Sequence, residues 1–205
     1  NEQKLKAAAE EIGAIPICGD LSKQLDLKRM ISEANDILGG IDILVANTGG
    51  PPKAQFVDTT EEMWADAFQS LFLSTTAAVR QVLPGMIDKQ WGRIIINTSI
   101  SAKEPINELI LSNSIRAGVL GLSKSLSSEV AGQGITVNAI LPGFIDTPRL
   151  QALGVDLKKL GEGIPTGRVG QAKELGALAA FLASDLASYI TGQAIAVDGG
   201  LGKSL

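Results

Sequence analysis

The stretch RIIINTSISAKEPINELILSNSIRAGVLGLSK, residues 93–124, constrains the fold of this chain more than any other. Three consecutive isoleucines, Ile94–Ile96, leave the strand no polar face, so both of its sides must be covered. A Ser-rich turn, Thr98–Ser101, follows, and an amphipathic helix begins near Leu111. A strand that feeds a polar turn and then a helix is how α/β sheets present chemistry at the carboxyl ends of their strands. Here the turn offers Ser99, and the helix offers Ser112 and, one turn later, Arg116.

The same alternation runs through the whole chain. Helical spacing marks Asn1–Ile12, Leu25–Leu38, a long helix from Thr60 to Lys89, Leu111–Ala131, a short helix at Asp156–Leu160, and Ala172–Ser184. Short apolar runs mark strands at Ala14–Cys18, Ile41–Ala46, Arg93–Asn97, Ile135–Ile140 and Gln193–Val197. Gly39-Gly40, Asn47–Pro52, Leu141-Pro142-Gly143 and Asp198-Gly199-Gly200 punctuate them. Helices alternating with buried strands predict a parallel sheet with helices on both faces, connected by right-handed crossovers.

Composition narrows the function classes. A chain of 205 residues, 45% hydrophobic and 20% charged, suits one α/β domain with a sizeable core. Net charge is −4 and no basic run exceeds a pair, which speaks against a nucleic-acid partner. The apolar stretches fall short of a membrane span, and the start NEQKLKAAAEE reads as a charged helix rather than a secretion signal. The single cysteine, Cys18, rules out an internal disulfide, reads as a buried apolar filler and fits a reducing compartment, the cytoplasm. The absence of histidine removes Ser-His triads and the commonest metal ligand, so no metal site is expected.

The ordered set Asp20-Leu21, Asn47-Thr48-Gly49, Ser99, Asn138 with Pro142-Gly143, Thr147, Thr191-Gly192 and Asp198-Gly199-Gly200 resembles the short-chain dehydrogenase/reductases, nearest to the 3-oxoacyl-[acyl-carrier-protein] reductase type. The resemblance implies a doubly wound, Rossmann-like sheet in a single domain over residues 1–205, lacking its first βαβ portion. It implies an NAD(P)-dependent oxidoreductase acting on a carbonyl or hydroxyl, with a 3-oxoacyl thioester as candidate substrate. Asp20 and Leu21 would meet the adenine, Asn47 and Gly49 the ribose and phosphate side, and Pro142, Gly143, Ile145 and Thr147 the nicotinamide end of NADP or NAD. Ser99 would orient the carbonyl. The family pattern also implies a substrate lid over residues 146–167. A homodimer or homotetramer would form through the two long helices and through Ala172–Val197.

Three places depart from that pattern. Ser112 stands where the family has its catalytic Tyr, Arg116 where it has Lys, and Leu71 where it has a water-holding Asn. Arg116 keeps the positive charge and offers a fork for ribose hydroxyls, but it does not release a proton. Lys103 is the nearby candidate for a replacement proton donor; Ser112 as a helix N-cap and Arg116 as a surface cation are the plain structural alternatives. Two functions stay open: an oxidoreductase, and a catalytically silent relative that binds or assembles. The pattern also places Ala14–Cys18 as the third strand and Ile41–Ala46 as the fourth, with nothing between them. Either the sequence is a piece of a longer protein, or the segment before Ile41 is displaced or covers the edge differently.

Overall fold

The computed structural model describes residues 2–151 and 154–204. Two helices open the chain, α1 (Glu2–Ile12) and α2 (Gln24–Leu38), and Gly39 ends α2 in the left-handed region at φ 70°. Strand β1 (Ile43–Asn47) leads through a loop to α3 (Glu61–Ala67), whose N-terminus is capped by Thr60 Oγ1 accepting from Met63 N at 3.2 Å. A six-residue π-turn, Phe68–Leu73, joins α3 to α4 (Ser74–Lys89). Then come β2 (Gly92–Asn97), α5 (Ile110–Val130) and β3 (Ile135–Pro142). The last third holds β4 (Ile145–Asp146), α6 (Pro148–Gln151), α7 (Leu157–Glu162), β5 (Gly170–Gln171), α8 (Ala172–Ala183) and β6 (Ala194–Val197).

Four strands form one parallel sheet in the order β1-β2-β3-β6. Side chains of a strand alternate between faces, and β2 shows the consequence. Ile94 and Ile96 pack with Val79, Val82, Met86 and Val119 from α4 and α5 on one face, while Ile95 packs with Ile140 and Leu182 on the other. All three isoleucines are fully buried, each contributing roughly 1.5–3 kcal/mol. The α/β class and the parallel sheet are as the sequence predicts. A two-residue parallel pairing of β4 with β5 adds a small satellite sheet.

The largest correction falls at Ala14–Cys18, which forms no strand. The segment runs beside α2 with Ile15 exposed and the Cys18 carbonyl accepting from Arg29. Cys18 is exposed rather than a buried filler. A short apolar run becomes a strand only where a ladder partner satisfies its backbone, and the neighbour available, β1, does not reach it. As a result β1 is an edge strand paired to β2 alone, with Ile43 43% and Val45 52% exposed.

Candidate active site

A cavity of about 690 Å³ opens at the carboxyl ends of β1, β2 and β3. Parallel sheets place ligand crevices there because every strand end releases a loop on the same side. Of the residues singled out in the sequence, Asn47, Gly49, Ser99, Ser112, Arg116, Pro142, Gly143, Ile145 and Thr147 all line it. Asp20 and Leu21 do not. Asp20 sits in an exposed turn ahead of α2, its carboxylate accepting from Ser22 N at 3.0 Å and Ser22 Oγ at 2.7 Å. Those bonds to Ser22 hold its carboxyl below the usual value. With no strand at Ala14–Cys18, nothing carries this turn to the crevice.

The serine and arginine positions form one connected group. Ser99 Oγ accepts from Ser101 N at 3.1 Å and so caps the short 3-10 turn Ile100–Ala102. Ser101 Oγ lies 3.3 Å from Ser112 Oγ. Arg116 Nε donates to Ser112 Oγ at 3.2 Å, and Arg116 Nη2 donates to the Gly49 carbonyl at 3.0 Å. A spacing of four on α5 places Ser112 and Arg116 on one helix face, and that face points inward: both are buried. Ser112 is therefore no N-cap, since α5 starts at Ile110 after Leu109, and Arg116 is no surface cation. Among the described residues that line the cavity, Arg116 is the one charged side chain.

The neighbouring loops are held from outside the cavity. Asn113 on α5 binds both backbone groups of Ile106, through Nδ2 to the carbonyl at 2.9 Å and Oδ1 from the amide at 3.3 Å. Gly143 N donates to the Val197 carbonyl at 3.0 Å, and a Cβ at Gly143 would sit 2.8 Å from Asp198 Cα, so this approach admits no side chain. Thr147 Oγ1 accepts from Leu150 N at 3.3 Å and turns the chain into α6. Lys103, considered as a proton donor, is not in the cavity lining; its Nζ donates to the Ala194 carbonyl at 3.1 Å. Leu71 is buried in the π-turn, 2% exposed.

Sequence reasoning missed Asn97, Thr98 and Ser101. Asn47 and Asn97 face each other across the β1–β2 ladder, and Asn97 Nδ2 donates to Asn47 Oδ1 at 2.9 Å. Asn97 Oδ1 and Thr98 Oγ1 are buried without a hydrogen-bond partner, and both residues line the cavity. Buried polar atoms are normally paired, so these two mark a place for a ligand's polar groups. The signal was present as an unbroken polar run, Asn97-Thr98-Ser99, at the end of an otherwise apolar strand.

The family model for enoyl-(acyl carrier protein) reductases matches residues 1–202. The chain belongs to the short-chain dehydrogenase/reductase family. Within the family it is 36% identical over 207 residues to the 3-oxoacyl-[acyl-carrier-protein] reductase FabG of Staphylococcus epidermidis, covering 98% of this chain and 85% of that protein. It is 35% identical over 204 residues to the acetoacetyl-CoA reductase of Rhizobium meliloti, covering 98% of this chain and 84% of that protein. Among solved structures, that of YwfH, described as an NADPH dependent reductase involved in bacilysin biosynthesis, superposes with a TM-score of 0.95 at 32% identity. The match covers 100% of this chain and 87% of that one. The chain is thus a short-chain-type oxidoreductase relative, and no helix among its described residues is long and apolar enough to cross a membrane.

Proposed function

We propose that this protein is a nicotinamide-dependent reductase that acts on the 3-oxo group of an acyl thioester. One observation carries the reading: Ser99, Ser112 and Arg116 converge on one cavity at the strand ends, where two buried polar atoms have no partner. The relatives that act on 3-oxoacyl and acetoacetyl thioesters support the substrate class.

The cavity suits the nicotinamide end of NADP or NAD. Asn97 Oδ1 can accept from an amide, Thr98 Oγ1 can donate or accept, and the Gly49 and Pro142-Gly143 backbones allow close approach of a flat ring or a sugar. The bound dinucleotide supplies the hydride. The chain's own residues act on the oxygen. Ser99 already accepts from Ser101 N, so its hydroxyl proton is available to the carbonyl. Ser112 presents a second hydroxyl, and the Arg116 guanidinium offsets the negative charge that grows on the oxygen. A guanidinium does not give up its proton, so the proton reaching the product oxygen passes through a hydroxyl and is replaced from solvent. The segment 146–167 serves as substrate cover, with Thr147 and Leu150 on the cavity side; residues 152 and 153 lie outside the described residues. Two copies would pair along α3–α4 and α5, where Phe68 stacks on Phe72 and stays 41% exposed. The protein would work in the cytoplasm.

A second reading is conjugate reduction of an enoyl thioester. It is favoured by the absence of a phenol among the described residues that line the cavity and by the description of the matching family model. Hydride added to the β-carbon sends the electron pair to the thioester oxygen, where a cation suffices and no acid is needed. The α-carbon then takes its proton from solvent.

The test mixes the protein with NADPH or NADH and either an acetoacetyl or a crotonyl thioester, and follows loss of the reduced nicotinamide. Consumption of acetoacetyl thioester supports the first reading. Turnover of crotonyl thioester alone replaces it with the second. Calorimetry that detects neither dinucleotide, together with no turnover, sinks both and leaves a non-catalytic relative.

A further inference from the structure

Ser101 belongs to no expected part of the site, yet it touches both of its hydroxyl positions. Its backbone N–H donates to Ser99 Oγ at 3.1 Å, and its own hydroxyl lies 3.3 Å from Ser112 Oγ. It is 1% exposed, so its hydroxyl is shut off from solvent. We propose that Ser101 is the positioning residue that turns the Ser112 hydroxyl proton into the cavity, toward the reacting oxygen. The inference rests on the reading of Ser112 as a contact of that oxygen.

The direction follows from counting donors. Arg116 Nε can only donate, so Ser112 Oγ must accept at 3.2 Å. A serine hydroxyl has one proton and two acceptor sites. If Ser112 gave its proton to Ser101, the Ser101 hydroxyl, buried and with Ser112 as its one hydrogen-bond partner among the described residues, would have no acceptor for its own proton, which buried polar groups avoid. If Ser101 donates to Ser112, every group is satisfied: Ser112 Oγ accepts from Ser101 and Arg116, and its proton is directed to the cavity that it lines. Two donors on one oxygen also stabilise negative charge there. Serine and guanidinium standing in place of phenol and amine thus acquire direction from a third residue.

A thiol at position 112 reports this directly. In a Cys18→Ser background, the thiolate of Ser112→Cys is titrated by its ultraviolet absorbance, with Ser101 intact and with Ser101→Ala. The donor at position 101 is expected to lower the thiol's midpoint by on the order of one pH unit. No cofactor or substrate is involved. In parallel, Ser101→Ala in the otherwise natural chain is assayed with NADPH and acetoacetyl or crotonyl thioester. The expected result is a fall in kcat of about tenfold, with NADPH affinity unchanged and activity recovered in Ser101→Thr. Equal thiol midpoints overturn the proposed hydrogen bond whatever the activity. Different midpoints with an unchanged kcat overturn its role in the reaction. Different midpoints in a protein that reduces neither thioester uphold the direction of the bond and sink the functional reading instead.

Discussion

Arg116 is a buried guanidinium that reaches two elements at once. Its Nε holds Ser112 one turn back on α5, and its Nη2 holds the Gly49 carbonyl in the loop after β1. A lysine would keep the charge but has no planar fork to span both. Arg116→Lys is therefore expected to lose the Gly49 tie, costing about 1.5–3 kcal/mol for a buried bond from a charged donor. NADPH affinity should fall with it, because the loop that carries Gly49 loses its anchor. Urea unfolding and calorimetric titration check this; unchanged values in both would show that the loop is held by other contacts. This residue was legible in the sequence because a spacing of four on a helix fixes which side chains share a face. Ser101 was not, because its hydroxyl finds Ser112 only through the geometry of a 3-10 turn. Asp20 and Leu21 lie off the cavity lining for a different reason. Their position depended on a strand at Ala14–Cys18, and no single-segment pattern tells whether a strand will find its ladder.

At the scale of elements, the sequence shows helix between Thr60 and Lys89 but not the break inside it. Apolar spacing runs on through Phe68–Leu73, where the backbone widens into a π-turn. The hydroxyls around it carry the trace. Ser70, Thr75 and Thr76 each donate to a carbonyl three or four residues back, at 3.3, 2.8 and 2.9 Å. Such bonds compete with the helix ladder. Helix α8, which walls the cavity through Leu175 and Gly176, is set by a clearer device at its start. Glu174 accepts from Gln171 N at 2.7 Å and from both Arg168 terminal nitrogens, at 2.9 and 2.7 Å. The Arg168 guanidinium above all, and the Gln171 amide with it, lower its carboxyl to about 2. A carboxylate depressed in the folded state adds stability above its ordinary value of 4.5 and loses that contribution as pH falls through about 2. The gap in melting temperature between the natural chain and Glu174→Gln is thus expected to be constant above about pH 5 and to close toward pH 2. A gap that persists undiminished at the acid end would mean that the clamp acts by shape, not charge.

For the molecule as a whole, a parallel sheet was legible because helices alternate with buried strands along the chain, and its strands run in the order β1-β2-β3-β6. The state of the β1 edge was legible only as a pair of alternatives, a longer protein or a displaced segment. The segment 14–22 stays away from the sheet, tied instead to α2 by Arg29 and to the π-turn by Gln69 Nε2 donating to the Ser22 carbonyl at 3.2 Å. Among the described residues no second strand pairs with the β1 edge, which is flanked by Ile43 and Val45 side chains that are about half exposed. An apolar open edge is a template for pairing with another chain, and a lysine on it is the usual deterrent. Val45 also lines the cavity, so Ile43 is the cleaner position to change. The 205-residue chain carrying Ile43→Lys is expected to self-associate less in sedimentation velocity at matched concentrations. Its stability should stay within about 0.5 kcal/mol of the unmodified chain, since the side chain it replaces is a half-exposed surface group. Association that is undiminished would assign it to the helical faces of α3–α4 and α5, and a large loss of stability would show that Ile43 is covered when the protein is in solution.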